Sequence, residues 1–503
     1  MRFAHVPANC ARSARYTSAV RQPTFLWHDY ETWGGDPRRD RPAQFAAIRT
    51  DAALEQVGLA VNAYCRPPRD RLPQPEATLV TGITPQLCES EGIDEAAFAK
   101  LVHQTLAEPG TCGAGYNNLR FDDEVTRQLL YRTFHEPYAR EWQQGNSRWD
   151  LIDVMRMAYA LRPDGIEWPR NEDGKPSFRL EQLARVNLVR EGAAHDALSD
   201  VRATIALARL LRAKQPRLFE YLLTLRDKRT VLALLDWQQL TPLVHSSARI
   251  PAERGATTVI VPLAPHPHQN NCVLVFDLMQ DPEPLITLDT DEIADRMFTP
   301  WRDLPEGEQR IQLKLVRANH APALAPISVL KDVDQARIGL DLERCLAHVE
   351  LLRRHAPMLR AKLQLVFGEI ADRAPDDADC ALVSGGLPPD DEAPLRERVR
   401  NTAPEDLGAL SPLFREPRYR ELLFRYRARS WPDSLDAEEQ ARWRWHCNHR
   451  LFRDPGDGSL TLPAYYDRIA ALRAEREGDG AAQVLLDALE AWGRELDREF
   501  HDG

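Results

Sequence analysis

Apolar residues between Thr24 and about Lys214 follow two alternating patterns along the chain. Short continuous apolar runs predict buried strands, and longer stretches with apolar residues at helical spacing predict amphipathic helices. The predicted elements are strands at 24–31 and 111–117 and helices at 95–106, 123–134 and 194–215. In the last helix, Asp196 is placed to cap the N-terminus. Because strands that alternate with helices are typical of an α/β domain, we predict one over residues 24–215.

The hydrophobic pattern changes after residue 215. The segments TTVIVPLA (257–264), CVLVFDL (272–278) and IQLKLV (311–316) have the composition of short strands and are separated by Pro, Gly and Asn. Such runs between turn-forming residues are typical of β structure. We therefore predict a small, strand-rich domain over residues 216–366.

The last third of the chain shows a charged segment and then a helical pattern. Seven acids against one Arg lie between Asp372 and Glu392, together with Pro and Gly, which predicts a solvated linker over 367–395. From Arg396 onward, leucines, alanines and aromatic residues recur at helical spacing. Residues 396–503 are therefore predicted to form a helical domain.

Length and composition narrow the class of protein. A chain of 503 residues is longer than one hydrophobic core usually supports. No apolar run approaches the roughly 18 residues of a membrane span, so membrane insertion is not expected. The eight cysteines have no C-x-x-C spacing, which predicts reduced thiols in the cytoplasm. Residues 1–23 hold four Arg and no acid and show no amphipathic face, so we predict a disordered N-terminal extension.

Asp29 and Glu31 form a D-x-E pair in the first predicted strand. Residues two apart on a strand point to the same face, so the two carboxylates are expected side by side at one edge of the sheet. Mg²⁺ takes carboxylate oxygens as ligands, together with water and substrate phosphate oxygens. Taken alone, the pair is also compatible with a solvated strand edge.

Two further elements follow the D-x-E pair in sequence. Asp122 lies in GYNNLRFDDEV (115–125), where a strand joins a helix that begins near Asp123. Acids at strand ends often belong to active sites, although either aspartate could instead cap the helix. His195 precedes Asp200 by five residues at the start of the last helix. A neutral imidazole there could take a proton from an attacking water.

The ordered set D-x-E, D and H-x-x-x-x-D resembles the DEDDh exonucleases, which have a ribonuclease H-like fold. The resemblance to bacterial exonuclease I is closer. In the nuclease region it is carried by FLWHDYETWG, DRPAQFAAIRTD, LPQPEATLVTGITP, GYNNLRFDDEVTR, NSRWDLIDVMR, PSFRLEQL and AHDALSDV. It continues in KQPRLFEYL (214–222), LVRANHAPALAP and LLFRYRARSWPDSLDAEEQARW. The similar text therefore extends over almost the whole chain from Thr24 onward.

The resemblance implies a multidomain α/β protein with a ribonuclease H-like nuclease domain, an SH3-like β-barrel domain and a C-terminal helical domain. It implies hydrolysis of single-stranded DNA in the 3′→5′ direction to 5′-mononucleotides, in DNA repair and recombination. The implied cofactor is Mg²⁺, as two ions, with Mn²⁺ as an alternative. The implied partners are single-stranded DNA and the C-terminal tail of single-stranded-DNA-binding protein, and the implied state is a monomer.

The resemblance also assigns roles to the candidate residues. The catalytic set is Asp29, Glu31, Asp122, His195 and Asp200. Asp29, Glu31 and Asp200 look like metal ligands. Asp122 looks like a further ligand or an acid behind the ligands, and His195 looks like the base.

The net charge of −11 gives no overall attraction to a polyanion, so DNA would need a local groove of cations and aromatic rings. Residues 127–162 supply both: Arg127, Arg132, Arg140, Arg148, Arg156 and Arg162, with Tyr131, Phe134, Tyr138, Trp142 and Trp149. By resemblance, the DNA contacts are Arg127, Tyr138, Trp142 and Arg156. Glu31 and Arg179, the latter in PSFRLEQL, match substrate-binding positions. Phe134 and Trp149 are predicted to be core residues.

Two other functions compete with this interpretation. An exoribonuclease would use the same two-metal chemistry on RNA, but the accessory domains argue against it. A single-strand-binding adaptor on a nuclease scaffold would be expected to have lost a metal ligand, and all five candidate positions are occupied. HCNH (446–449) places two His near one Cys without a fourth ligand, so we do not predict a metal site there.

Overall fold

The computed structural model describes residues 23–189, 195–305, 307–308, 310–368, 377–387 and 389–501. The predicted N-terminal extension lies outside these residues, except for Pro23. The strands are β1 (Thr24–Thr32), β2 (Pro42–Thr50), β3 (Val61–Tyr64), β4 (Thr111–Gly115), β5 (Ser147–Asp150), β6 (Leu243–Ser246), β7 (Thr257–Pro265), β8 (Cys272–Asp277), β9 (Leu313–Arg317) and β10 (Ala323–Pro326).

The α-helices are α1 (Pro75–Thr81), α2 (Pro85–Glu91), α3 (Glu95–Leu106), α4 (Asp122–Arg132), α5 (Leu151–Leu161), α6 (Leu180–Val186), α7 (Ala197–Lys214), α8 (Pro216–Thr224), α9 (Lys228–Leu234), α10 (Glu283–Thr287), α11 (Thr290–Phe298), α12 (Leu342–Arg354), α13 (Ala356–Val366), α14 (Leu382–Gly385), α15 (Ala393–Asn401), α16 (Pro417–Ser430), α17 (Ala437–Phe452), α18 (Leu462–Glu475) and α19 (Gly480–Phe500). Short 3-10 turns lie between several of them.

Strand β1 lies at the centre of the first sheet, whose order is β3-β2-β1-β4-β5. It runs parallel to β4 and antiparallel to β2. Phe25 and Trp27 pack on the face that α7 covers, whereas Leu26 packs on the opposite face with α3 and α4. Because side chains alternate along a strand, the face of Phe25 and Trp27 continues into Asp29 and Glu31. An apolar strand face therefore ends in two carboxylates.

Helix α7 lies across β1 and β2. It begins at Ala197, and the side chain of Asp196 accepts a hydrogen bond from the backbone N–H of Ser199. The predicted N-cap is therefore confirmed. The described helix starts a few residues later than the predicted start at 194.

The second sheet is antiparallel throughout, with the order β10-β6-β7-β8-β9. The predicted strands at 257–264, 272–278 and 311–316 are confirmed as β7, β8 and β9. The description of 216–366 as strand-rich is incomplete, because the described residues of this range also form the helices α8 to α13. Apolar side chains of α12 and α13, such as Val349 and Leu363, complete the core over β7. In the sequence, the helical spacing of these residues is a weaker signal than the neighbouring apolar strand runs.

The C-terminal region is helical, as predicted. Its described residues after 381 form α-helices and short 3-10 turns, without a β-strand. These helices pack against the nuclease region through aromatic side chains. The ring of Phe134 lies with its centroid 5.8 Å from that of Phe414 and 5.6 Å from that of Tyr426. Among the described residues, no helix has the length and apolar character needed to cross a membrane.

The acids of the predicted linker are not all solvated, which corrects the prediction for 367–395. Asp379 is fully buried, and its carboxylate accepts hydrogen bonds from Arg425 and Arg429 of α16. Glu392 is also buried and pairs with Arg415. The acids are buried because arginines that are distant in sequence neutralise them. Residues 369–376 lie outside the described part of the chain.

Candidate catalytic site

Three carboxylates meet where β1 and α7 cross. Asp29 and Glu31 lie two residues apart on one face of β1, and Asp200 comes from the first turns of α7, which packs on that face. One ligand oxygen from each of the three lies within 4.8 Å of the others. Asp29 and Glu31 lie side by side because side chains alternate along a strand, which is a local property of the chain. Asp200 joins them only because α7 packs on β1.

Asp122 lies beside this group. Its Oδ1 accepts a hydrogen bond of 3.0 Å from the backbone N–H of Tyr30, the residue between Asp29 and Glu31. Helix α4 begins at Asp122, and neither Asp122 nor Asp123 makes a side-chain cap. The capping alternative is therefore wrong for both aspartates, because one supports β1 and the other forms buried ion pairs.

His195 is exposed and stands immediately before the N-cap of α7. Its φ of 61° lies in the left-handed region, which costs a residue with a Cβ some backbone strain. The short sequence separation from Asp200 keeps the imidazole at the same end of the helix as the carboxylate group. The catalytic roles of all five residues stay predictions.

The electrostatics of the group favour a bound cation. Burial raises the pKa of Asp29 well above its ordinary value, and the neighbouring charges of Asp122 and Glu31 add to this. Burial, followed by repulsion from Asp200, raises the pKa of Glu31 to about 8. Burial likewise raises the pKa of Asp122 to about 8, against the stabilising Tyr30 N–H. Buried carboxylates that repel one another are destabilised as anions, and a bound divalent cation removes this penalty.

Mg²⁺ is expected to stabilise the fold more at about pH 8.5 than at about pH 6. Without a cation, the raised carboxyl pKa values mean that the folded protein holds protons that the unfolded chain releases. Stability should then fall as pH rises from the ordinary carboxyl pKa through about 8. A cation at 100 times its Kd adds about 2.7 kcal/mol and offsets the repulsion.

Thermal midpoints measured with Mg²⁺ or with EDTA, at both pH values, test this expectation. Asp200→Asn serves as the control, since it removes one carboxylate of the group. An equal Mg²⁺ effect at both pH values, or an undiminished effect in Asp200→Asn, would contradict the prediction.

Two predicted DNA-contacting arginines already have acidic partners. Arg127 is buried and donates to both carboxylate oxygens of Glu141, and its guanidinium lies 5.4 Å from the ring centroid of Tyr138. Arg156 is buried and pairs with Asp153. Both side chains are thus held in place by carboxylates. Their contact with DNA stays a prediction.

The predicted aromatic and loop contacts are more accessible. Trp142 is 66% exposed, which leaves its ring available for stacking on a base. Tyr138 is half-buried beneath Arg127. Arg179 is exposed at the N-cap position of α6. Phe134 and Trp149 are buried, so their assignment to the core is confirmed.

The basic stretch at 127–162 is not an open array of cations, contrary to the expectation from sequence. Arg140 and Arg148 are buried and donate to the two carboxylate oxygens of Asp123. Arg132 is buried and pairs with Glu95. Ion pairing across helices and strands, which sequence spacing does not reveal, neutralises them.

Sequence reasoning missed Asp150 as a support of the site. Its carboxylate accepts backbone N–H groups of Asn117, Leu119 and Ile152, and burial raises its pKa to about 6. It therefore holds the segment that leads to Asp122. The available signal was an acid at the end of the short strand SRWD, directly before the helix α5 that it caps. In HCNH, the His446 ring stacks on Trp443, and no metal-ligand group is found there among the described residues.

Three family models match consecutive parts of the chain. An exonuclease model matches residues 26–208, the exonuclease I SH3-like domain model matches residues 226–369, and the exonuclease I C-terminal domain model matches residues 376–496. The first match contains the whole carboxylate group, and the other two contain the second sheet and the C-terminal helices.

Relatives match over nearly the full length. Exodeoxyribonuclease I of Escherichia coli is 45% identical over 477 residues, which are 95% of this chain and 98% of that protein. The crystal structure of E. coli Exonuclease I in complex with a dA16 oligonucleotide has a TM-score of 0.90 at 45% identity, over 94% of this chain and 100% of that one. An ExoI/SSB-Ct complex has a TM-score of 0.88 at 44% identity, over 95% of this chain and 100% of that one.

The order of the three matched domains, the similarity of the fold and the sequence identity along the chain all point to the same family. The predicted fold class, a multidomain α/β protein with nuclease, SH3-like and C-terminal helical domains, is confirmed. With an identity of 45% over 95% of its length to Exodeoxyribonuclease I of Escherichia coli, the chain belongs to the exonuclease I family.

Proposed function

We propose that this chain is an exodeoxyribonuclease that hydrolyses single-stranded DNA in the 3′→5′ direction and releases 5′-mononucleotides. The observation that carries the proposal is the group of Asp29, Glu31 and Asp200, whose ligand oxygens lie within 4.8 Å of one another. It lies in a chain that covers 98% of an Exodeoxyribonuclease I. DNA repair and recombination are the processes that the family implies.

The carboxylate group fits a divalent metal, which exonucleases of this family generally use. Three carboxylates with closely spaced oxygens match the all-oxygen ligand sets of hard cations. The raised pKa values of Asp29 and Glu31 reflect their burial and then the repulsion between neighbouring carboxylates, which a cation would offset. We propose two Mg²⁺ ions, with Mn²⁺ able to replace them. When bound, the metal would supply Lewis-acid stabilisation of charge on the phosphate oxygens.

The protein side chains would supply the remaining steps. Glu31 and Arg179 would contact the substrate, and Asp122 would support β1 through the Tyr30 N–H from behind the ligands. His195, exposed at the mouth of α7, would take a proton from the attacking water as it approaches phosphorus. Arg127, Tyr138, Trp142 and Arg156 would contact the DNA strand.

A cleft between the nuclease region and the second sheet offers a path for the strand. It has a volume of about 580 Å³ and is lined on one side by residues of the segment that carries Asp122. The cations in its lining are Arg38, Arg120, Arg127, Arg249, Lys314 and Arg317. They outnumber the three lining acids, Glu124, Asp150 and Asp153. An acidic protein can therefore present a locally basic surface to the DNA backbone.

Lys314→Gln is expected to weaken binding of single-stranded DNA and to reduce its salt dependence. Burial lowers the pKa of Lys314 to about 7, so binding is measured at about pH 6.5, where the ammonium is charged. Loss of one phosphate contact should reduce the slope of log K against log salt by about 0.7.

Fluorescence anisotropy with a labelled oligonucleotide in EDTA gives this slope. Lys331→Gln is the matched control, because Lys331 is exposed in the same domain and lies outside the cleft lining. If Lys314→Gln binds single-stranded DNA with unchanged affinity and unchanged salt dependence, the DNA strand does not contact this side of the cleft.

Several other properties belong to the same proposal. We propose the domain bounds 24–215, 216–366 and 396–503, with 367–395 between the last two. We propose binding to the C-terminal tail of single-stranded-DNA-binding protein, which the solved ExoI/SSB-Ct complex supports. A monomer in the cytoplasm is proposed from the family and from the free state of the described cysteines.

Degradation of end-labelled oligonucleotides tests the function. DNA and RNA strands labelled at the 3′ or the 5′ end are incubated with Mg²⁺ or with EDTA. Immediate release of the 3′ label from DNA as mononucleotide, only with metal, is expected. Equal degradation of RNA would favour the exoribonuclease, and DNA that is bound but uncut in every condition would favour the adaptor.

A further inference from the structure

Gln44 lies next to the carboxylate group without belonging to it. It is on β2 directly opposite Glu31 of β1, and it is almost fully buried. Directly opposed residues of neighbouring strands project from the same face of the sheet. Gln44 therefore faces α7, on the side where the metal ligands lie.

The amide of Gln44 binds the beginning of α7. Its Nε2 donates to Oδ1 of Asp196, at 3.2 Å, and to Oδ1 of Asn62, at 2.9 Å. Its Oε1 accepts the backbone N–H of Ala197 at 3.4 Å. Two oxygens face the nitrogen and one N–H faces the oxygen, so only this orientation of the amide satisfies its neighbours.

Asp196 connects Gln44 to the candidate catalytic residues through its own hydrogen bonds. Its second oxygen, Oδ2, accepts the N–H of Ser199, and its backbone carbonyl accepts the N–H of Asp200 at 3.0 Å. His195, with its left-handed backbone, precedes it directly. Any movement of Asp196 would displace the ligand on one side and the imidazole on the other.

On the basis of the nuclease function proposed above, we propose that Gln44 is a positioning residue that holds Asp200 and His195 against Asp29 and Glu31 by binding the Asp196 cap. It acts through Asp196 and touches neither substrate nor metal. A glutamine serves here because it presents two donors and one acceptor to a carboxylate, an amide and a backbone N–H at once.

Gln44→Glu tests the role with nearly unchanged shape. The new carboxylate opposes that of Asp196 and has no N–H to donate, so the start of α7 should move. We expect Mn²⁺ binding and kcat each to fall by about tenfold or more, as is typical when a residue that orients metal ligands is lost. The added negative charge alone would strengthen cation binding, so a loss of affinity reports geometry.

The double variant Gln44→Glu/Asp196→Asn restores the contact with donor and acceptor exchanged. The amide introduced at position 196 can donate through its nitrogen to the carboxylate introduced at position 44, while its oxygen still accepts the N–H of Ser199. The amide of Asn62 can turn to donate to the same carboxylate. We expect recovery of Mn²⁺ affinity and kcat to within about threefold of the wild type, which a double-mutant cycle quantifies.

Arg209→Met is the matched control for general loosening of α7. Arg209 donates to the backbone carbonyl of Leu54 near the other end of the helix. This variant should lower the thermal midpoint and leave Mn²⁺ affinity and kcat unchanged.

Mn²⁺ affinity is measured calorimetrically without DNA, kcat and KM are measured on single-stranded DNA, and all variants are the full chain. The proposal is overturned if Gln44→Glu binds Mn²⁺ and cuts like the wild type, if the double variant does not recover, or if Arg209→Met loses Mn²⁺ affinity to the same extent. If the wild type binds Mn²⁺ but cuts no DNA, the nuclease function fails while the Mn²⁺ measurements still decide the role of Gln44.

Discussion

Replacing Glu31 by Gln is expected to reduce the rate of DNA cleavage by about a thousandfold, which corresponds to about 4 kcal/mol of transition-state stabilisation. The amide keeps the size of the side chain but removes one charge from the group formed with Asp29 and Asp200. Loss of charge from a metal-ligand set weakens cation binding directly. Binding of single-stranded DNA should persist, because the cleft cations and Trp142 are unchanged.

Single-turnover cleavage of a 3′-labelled oligonucleotide and anisotropy on the same strand separate these two effects. Glu89→Gln, which changes an exposed acid on α2, is the control and should cleave normally. Asp200→Asn should resemble Glu31→Gln, and the double variant should lose little more, because residues that act as a unit are not additive. Cleavage by Glu31→Gln at more than about a tenth of the wild-type rate would refute the proposed role.

Asp379→Asn is expected to give the largest loss of stability, about 3–5 kcal/mol, because it removes a fully buried carboxylate that several buried guanidinium groups share. Its carboxylate lies among four arginines. Arg425 and Arg429 come from α16, whereas Arg41, at 3.2 Å, and Arg71, at 3.6 Å, come from the nuclease region. The nearby guanidinium groups hold the pKa of Asp379 well below its ordinary value, although burial opposes them. The variant should therefore loosen the C-terminal helices from the nuclease region.

Thermal unfolding and limited proteolysis measure this effect. Asp391→Asn is the control, since Asp391 pairs with Arg415 in an ion pair whose side chains are each 65% exposed. Exposed pairs of this kind contribute little to stability. A thermal midpoint for Asp379→Asn as high as that for Asp391→Asn would show that the buried cluster does not hold the two regions together.

Local patterns in the sequence were sufficient for the elements of the site. The short apolar run in TFLWHDYE predicts a strand, and the two-residue period of a strand places Asp29 and Glu31 on one face. The structure has both carboxylates on the same face of β1. The cap at Asp196 was readable because an N-cap depends on residues only three positions apart. Such features depend on backbone periodicity alone.

The partners of charged side chains were not predictable in this way. Asp123 was open to a capping role by its position, but Arg140 and Arg148 bury it. Asp379 was expected to be solvated, yet α16 neutralises it from about fifty residues away. Composition gives the number of charged side chains, whereas only the packing of the folded chain shows which of them form buried ion pairs.

The periodic patterns of the sequence indicated an α/β region, a strand-rich region and a helical region in this order, and the resemblance of its motifs to a known family implied the fold class and the candidate catalytic residues. Only the tertiary structure decided how closely Asp200 approaches Asp29 and Glu31, that Gln44 binds the N-cap residue of the helix bearing Asp200, and which arginines face the cleft. These facts arise from contacts between segments separated by tens to hundreds of residues, and no local periodicity encodes the partner across such a distance.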